Sequence, residues 1–259
     1  MKMVRYITAA FLLVSCCVHA QPTIQLQVVN IKDSKSTKIV QIKLTNISDG
    51  KPTALADLKE AHTQKIHLLV IDDSLEDYCH LHPKALKTPG LYEFDWHPKQ
   101  ANVNYYIWAD VVPLSTDAEE YDMANLLIIN DKKSAINRNT SMQASIQGYN
   151  FKLSFDNKTL QVGKAAMGKI FVTDTRGNPV KNLEPVLGSF GHIVGFSDDL
   201  KTVIHIHPMG NEPANPAARG GPELQFHLVP ETPGFIKIFA QVKINGKDIF
   251  VPFGVNVSA

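Results

Sequence analysis

Short stretches of alternating apolar and polar residues run along the chain from Thr23 onward, and no segment shows a long helical period. Ile24–Val28 and Ile39–Leu44 are the first two examples. Turn residues such as Asp49-Gly50 and Asn245-Gly246 separate neighbouring stretches. Each half of the chain contains about seven such strands, which predicts an all-β protein made of two tandem immunoglobulin-like β-sandwich domains.

The second half of the chain repeats the first. Ile66-His67-Leu68-Leu69, a turn and Cys79-His80-Leu81-His82-Pro83 are followed later by Gly191-His192-Ile193-Val194, a turn and Ile204-His205-Ile206-His207-Pro208. The three histidines and the proline all match at one offset, since 67 + 125 = 192 and 80 + 125 = 205. A fixed offset of this kind indicates an internal repeat, so the two domains are expected to share one topology.

Each repeated stretch predicts a β-hairpin whose histidines lie on one face. Two turn positions are possible, and they place His67 opposite either His80 or His82. His80 and His82 are two residues apart and therefore point to the same side of their strand. Opposed Cβ atoms lie about 4.5–5.5 Å apart, so three imidazoles are expected to gather in each copy. In the second copy these are His192, His205 and His207.

Three clustered imidazoles are typical of a metal site with an open position, and imidazole suits copper and zinc. The alternative is a structural cluster in which each ring is hydrogen bonded and both copies inherit the arrangement. Weaker candidate ligands lie on the following strands and loop: His227, Met209, Asp95 and His97. If only one copy binds metal, we expect the second, because it retains Gly191 and a longer adjoining loop.

A polar stretch in the middle of the chain predicts the boundary between the two domains. Residues 21–131 are predicted to form the first domain, the polar residues 132–143 a linker, and residues 144–259 the second domain. The end of the first domain, Pro113 to Asp131, is predicted to be irregular. Its acidic residues are expected to be solvated: Asp117, Glu119, Glu120 and Asp122.

The N-terminus predicts export. Residues 1–20 combine a basic start, an apolar run from Ile7 to Val18 and a small-residue cleavage site ending at Ala20. Leu13-Val14-Ser15-Cys16 also resembles a lipoprotein box, which would anchor the chain through a lipid at Cys16. Both alternatives lead out of the cytoplasm, to a periplasm or to secretion. The net charge of +1 over 259 residues gives no indication of nucleic-acid binding.

Cysteine usage argues against a thiolate metal centre. After cleavage at Ala20 only Cys79 remains, so no internal disulfide is possible. Its repeat counterpart is Ile204, which indicates a small core residue. The sequence contains no recognised nucleophile elbow, HExxH, CxxC or phosphate-binding loop. It therefore favours a non-enzymatic protein and leaves metal-assisted chemistry open.

Five motifs in the second half carry a resemblance to known sequences: Gly177–Val180, Leu183–Pro185, Gly191–Val194, His205–Pro208 and Gly221–Glu223. With them, the second half resembles a poorly characterised family of bacterial secreted or periplasmic proteins. The first half matches more loosely, with a shortened loop. The resemblance implies export and a β-sandwich fold, and it implies no particular activity.

Two functional hypotheses follow. The first is an exported copper- or zinc-binding protein that buffers or delivers the ion, with a three-histidine cluster in each domain. The second is a structural or partner-binding module, acting on another exported protein, in which the histidines only support the fold. Fold class alone does not choose between them.

Overall fold

The computed structural model describes residues 22–210 and 212–259, except for the side chains of His205 and His207. The predicted export segment and Cys16 lie outside these residues. No helix in the described part is long and apolar enough to span a membrane. Strands make up about half of the described chain, and its one helical element is a 3-10 turn at Leu55–Asp57. The strands are β1 (Ile24–Ser34), β2 (Thr37–Asn46), β3 (Leu58–Lys59), β4 (Ile66–Asp72), β5 (Cys79–Leu81), β6 (Lys84–Ala85), β7 (Leu91–Trp96), β8 (Tyr105–Pro113), β9 (Glu120–Leu127), β10 (Gln143–Ile146), β11 (Tyr149–Phe155), β12 (Leu160–Gln161), β13 (Ala166–Asp174), β14 (His192–Ser197), β15 (Val203–Met209), β16 (Glu223–Leu228), β17 (Gly234–Ile244) and β18 (Lys247–Ser258).

The first half is a β-sandwich. One sheet has the order β1-β2-β7-β6, and the other has the order β3-β8-β4-β5 with β9 paired to β8. Alternating residues such as Val40, Ile42 and Leu44 on β2 point into the core between the sheets and are completely buried. The prediction of an all-β sandwich from alternation is confirmed here.

The second half repeats this topology around its own core. β14 pairs with β15 and β17, as β4 pairs with β5 and β8, and β13 pairs with β16 as β2 pairs with β7. The strand β15 crosses between the sheets, because its first part pairs with β14 and its last residues pair with β16. The fold is therefore two tandem β-sandwiches related by an internal repeat, while the exact domain limits stay predictions.

The stretch from Pro113 to Asp131 is ordered, and the expectation of an irregular segment is wrong. It contains β9, which pairs antiparallel with β8. Its acids are also not all solvated. Glu120 is 7% exposed and accepts hydrogen bonds from the backbone N–H and the hydroxyl of Thr23, and Asp122 accepts one from the Leu26 N–H at 2.6 Å. These carboxylates accept hydrogen bonds from donors at the start of the first sandwich, on Thr23 and on Leu26 of β1.

A third hydrophobic cluster joins the two halves. It contains residues of both: Leu69, Ile71, Leu75, Tyr78, Tyr106, Trp108, Val194, Phe196, Leu200 and Phe239. The ring centroids of Trp108 and Phe196 lie 5.6 Å apart, and those of Tyr78 and Phe239 lie 4.9 Å apart. Lys237 pairs with Glu76 across the same boundary at 2.8 Å. The outer faces of β4–β8 and β14–β17 therefore form an interface between the sandwiches.

Candidate metal site

Strand alternation places three histidines of the first half on the interface face. Ile66, Leu68 and Val70 on β4 point into the first core, so His67 points to the opposite face with Leu69 and Ile71. On β5, Cys79 and Leu81 pack toward the core and His80 faces the interface. The hairpin pairs Leu69 with His80 and Leu68 with Leu81, which is the second of the two registers considered.

The second copy has the same backbone register. Ile193 pairs with Ile206 and Val194 with position 205, and each pair matches its first-copy counterpart at the offset of 125 on both strands. Because the two hairpins superimpose in register, the repeat seen in the sequence is a repeat of structure. The side chains of His205 and His207 lie outside the described part of the structure, so the expected preference for the second copy stays a prediction.

The nitrogen atoms of His67, His80 and His82 converge. Nδ1 of His67 lies 3.0 Å from Nε2 of His80 and 3.2 Å from Nε2 of His82. His67 and His80 are 3% and 7% exposed, and His82 is half-buried. Candidate ligand atoms of all three residues lie within 4.8 Å of one another. Three buried imidazoles arranged in this way can hold a metal ion.

The outer ring nitrogens of His67 and His80 hydrogen bond to oxygen acceptors. Nε2 of His67 lies 2.9 Å from the carbonyl oxygen of Ala61, which only accepts hydrogen bonds. Nδ1 of His80 lies 3.3 Å from Oε1 of Gln241, whose amide nitrogen donates to Asp248 at 3.4 Å. We assign the ring protons from these partners, so in neutral rings Nδ1 of His67 and Nε2 of His80 carry no hydrogen.

In the neutral rings, two nitrogens without hydrogen thus face each other at 3.0 Å, and a metal cation bound to both makes this contact favourable. In a tetrahedral site with metal–nitrogen bonds of about 2.0–2.1 Å, ligand nitrogens lie about 3.3 Å apart. The observed separations of 3.0 and 3.2 Å are a few tenths of an ångström shorter. Ligating histidines typically donate their other ring N–H to an oxygen acceptor, as His67 and His80 do.

Three residues near the cluster were not identified from the sequence. His62 lies in a turn with a φ of +47°, and its ring is 6.2 Å from that of His67. Asp110 is opposite His67 on β8, and burial followed by the charge of Glu119 raises the pKa of its carboxyl group. Gln241 comes from β17 of the other sandwich. The repeat gave no indication of these residues, because their counterparts are not of the same residue type.

The other candidates lie away from the converging nitrogens. The exposed His97 pairs with the hydroxyl of Thr37 at 2.7 Å, and Met209 is 48% exposed. Asp95 lines a surface pocket of about 270 Å³ that His82 also borders. The backbone places His227 opposite position 207, at a cavity of about 850 Å³. None of these four residues belongs to the group formed by His67, His80 and His82, and all four stay predictions as ligands.

Cys79 is a packing residue. Its side chain packs against the first core, and burial raises the pKa of the thiol to about 12. The thiol therefore stays protonated at neutral pH and is a poor metal ligand. This agrees with the prediction from its repeat counterpart, Ile204.

The metal-free protein is expected to lose stability in acid partly through His82. Burial lowers the pKa of His82 below 6.5, so the unfolded chain binds a proton that the folded chain does not. Stability from this residue is present above pH 6.5 and is lost as the pH falls toward the lowered folded pKa. Urea unfolding with chelator at pH 7.5 and 5.5 measures the loss, and it should be smaller in His82→Gln. An equal loss in both proteins would contradict this role.

Residues 144–259 match the model of a protein family described as "Domain of unknown function (DUF8832)". The match covers less than half of the chain and is confined to the second sandwich. No functionally curated protein matches the chain in sequence. The comparison therefore agrees with the resemblance of the second half and assigns no activity.

Similar solved structures include an S-layer protein, MtrC and invasin. The fragment titled S-layer protein SbsC domains 4 and 5 has 17% identity and a TM-score of 0.24, over 60% of this chain and 65% of that one. MtrC from Shewanella baltica OS185 has 7% identity and a TM-score of 0.26, over 91% of this chain and 68% of that one. Invasin, a bacterial integrin-binding protein, has 12% identity and a TM-score of 0.25, over 92% of this chain and 40% of that one. These similarities are too weak to support an inference.

Proposed function

We propose that this protein binds a transition-metal ion, copper or zinc, through His67, His80 and His82. The observation that carries this proposal is the convergence of their ring nitrogens at 3.0 and 3.2 Å while the outer nitrogens of His67 and His80 bind oxygen acceptors. Burial of His67 and His80 keeps bulk water from competing with the metal ion for their nitrogens.

The types of ligand atom at the site limit which metal ions it suits. Three imidazoles without a thiolate suit zinc and copper(II), and copper(II) has the higher affinity for a given nitrogen site. The second copy contains the same three histidines, so His192, His205 and His207 are proposed as further ligands. The role we propose is buffering or delivery of the ion.

The N-terminal segment supports a role outside the cytoplasm. Its basic start, apolar run and small-residue site are typical of an export signal, and the resemblance of the second half implies export as well. We propose a periplasmic or secreted protein, with a lipid anchor at Cys16 as the alternative. Metal exchange with another exported protein would fit such a location.

A second candidate function is a structural module that binds a partner without metal. The observation in its favour is that the cluster lies at the interface between the sandwiches, where His80 hydrogen bonds to Gln241. In that case the rings stabilise the packing of the two sandwiches, and an exposed surface carries the function.

Metal titration separates the two candidates. Chelator-treated protein is titrated with Zn²⁺ and Cu²⁺ against a competing chelator. We expect stoichiometric binding with a Kd below about 1 μM. His67→Ala with His80→Ala should remove the binding that belongs to this cluster, whereas the exposed His97→Ala should bind as the wild-type protein does. His205→Ala with His207→Ala shows whether the second copy adds a site. Absence of binding by the wild-type protein would leave only the structural module.

A further inference from the structure

We propose that His192 supplies a fourth imidazole to the metal ion held by His67, His80 and His82, so that one ion fastens the two sandwiches together. This inference rests on the proposed metal-binding function. It goes beyond one separate cluster per domain, because it joins the two copies of the repeat in a single shared site.

The first support is position. His192 begins β14 on the interface face and is 6% exposed. The centroid of its ring lies 4.6 Å from that of His80 and 6.4 Å from that of His67. The sequence predicted that His192 belongs to the second-copy cluster. In the structure, packing of the two sandwiches brings His192 next to the first-copy cluster.

The second support is geometry. In a tetrahedral site with four imidazoles and bonds of about 2.0–2.1 Å, ring centroids lie about 5.2 Å apart. The centroids of His67, His80 and His82 are 4.9–5.2 Å apart, so these three rings already match. The centroid of His192 is about 0.6 Å closer to His80 and about 1.2 Å farther from His67 than this spacing, so its ring must move toward His67 when the ion binds.

The third support is the position left open. Three imidazoles leave one coordination position of a tetrahedral ion. His67 on β4 and His80 on β5 lie on the face that meets the second sandwich, and the ring of His192 on β14 approaches that of His80, so we place the open position on this side. His62 also approaches the cluster, but its ring lies 6.2 Å from His67 and it is held in a turn. His192 is therefore the better placed fourth ligand.

The outer contacts of the site cross the same boundary. Gln241 on β17 accepts a hydrogen bond from His80, and β17 pairs His192 with Gln241. One ligand and one orienting residue thus come from the second sandwich. Metal binding is then linked to packing of the sandwiches, and each must strengthen the other by the same factor.

The test compares the wild-type protein with His192→Ala, using Zn²⁺ as the probe. X-ray absorption should count four imidazoles around zinc in the wild-type protein and three in the variant. The Kd should rise at least about 10-fold, as removal of even an orienting partner typically costs that much. Millimolar free imidazole should recover part of the lost affinity by occupying the space left by the ring, which a purely structural defect would not allow.

The outcomes separate this inference from the function on which it rests. Three imidazoles in both proteins, with unchanged affinity, would overturn the role of His192 and leave the three-histidine site standing. A wild-type protein that binds no zinc or copper would overturn both. His97→Ala serves as the matched histidine control, since its ring lies on an exposed part of the first sandwich.

Discussion

Replacement of Trp108 by alanine is expected to lower the free energy of unfolding by about 3–5 kcal/mol. Trp108 is 2% exposed and packs against Phe196 of the other sandwich, with its indole N–H donating to the carbonyl oxygen of Lys201. The substitution removes a large apolar side chain from the interface between the two sandwiches. The loss should therefore appear as weaker packing between the sandwiches.

Urea unfolding in the presence of chelator measures the effect. The control is Leu114→Ala, because Leu114 is 59% exposed and its loss should change stability by no more than about 0.5 kcal/mol. If the free energy of unfolding of Trp108→Ala lay within about 1 kcal/mol of the wild-type value, the interface described for β4, β8, β14 and β17 would be contradicted.

Metal at 100 times its Kd is expected to raise the free energy of unfolding by about 2.7 kcal/mol, because the ion binds the folded chain in preference to the unfolded one. Chelator should reverse the gain. In His67→Ala the gain should disappear, since His67 Nδ1 is the atom that both other rings approach. Thermal or urea unfolding with and without Zn²⁺ measures it, and equal stabilisation of both proteins would contradict binding at this cluster.

Alternation and the repeat were sufficient to predict the fold class and the hairpin. A strand with one buried face alternates, and β2 and β13 do so. Strand periodicity predicted the grouping of His67, His80 and His82, because residues two apart lie on the same face of a strand. The repeat supported this prediction, since the same three positions are histidine in the second copy. The choice between the two registers depended on the length of the turn, which strand periodicity does not determine.

The interface between the sandwiches was harder to predict. Tyr105-Tyr106-Ile107-Trp108 does not alternate, which is typical of a strand buried on both faces. The sequence shows that such a strand is covered twice, but it does not identify the covering surface. In the structure Tyr105 and Ile107 fill the first core, while Tyr106 and Trp108 contact the second sandwich.

The same limit explains the residues missed around the site. His62 and Gln241 approach the histidines through a turn and through the other sandwich, so neither strand spacing nor the repeat links them to the cluster. The buried Glu120 and the half-buried Asp122 were missed because charged residues are usually exposed. Their hydrogen bonds to the backbone of β1 offset the cost of burial.

The most direct test of the metal site is the protonation of its rings in the metal-free protein. Nitrogen-15 NMR distinguishes ring nitrogens that carry a hydrogen from those that do not. We expect Nδ1 of His67 and Nε2 of His80 to lack hydrogen at pH 7.5 and to shift on addition of Zn²⁺. Rings protonated on both nitrogens, or nitrogens that do not respond to Zn²⁺ and Cu²⁺, would contradict a metal site and indicate a structural histidine cluster.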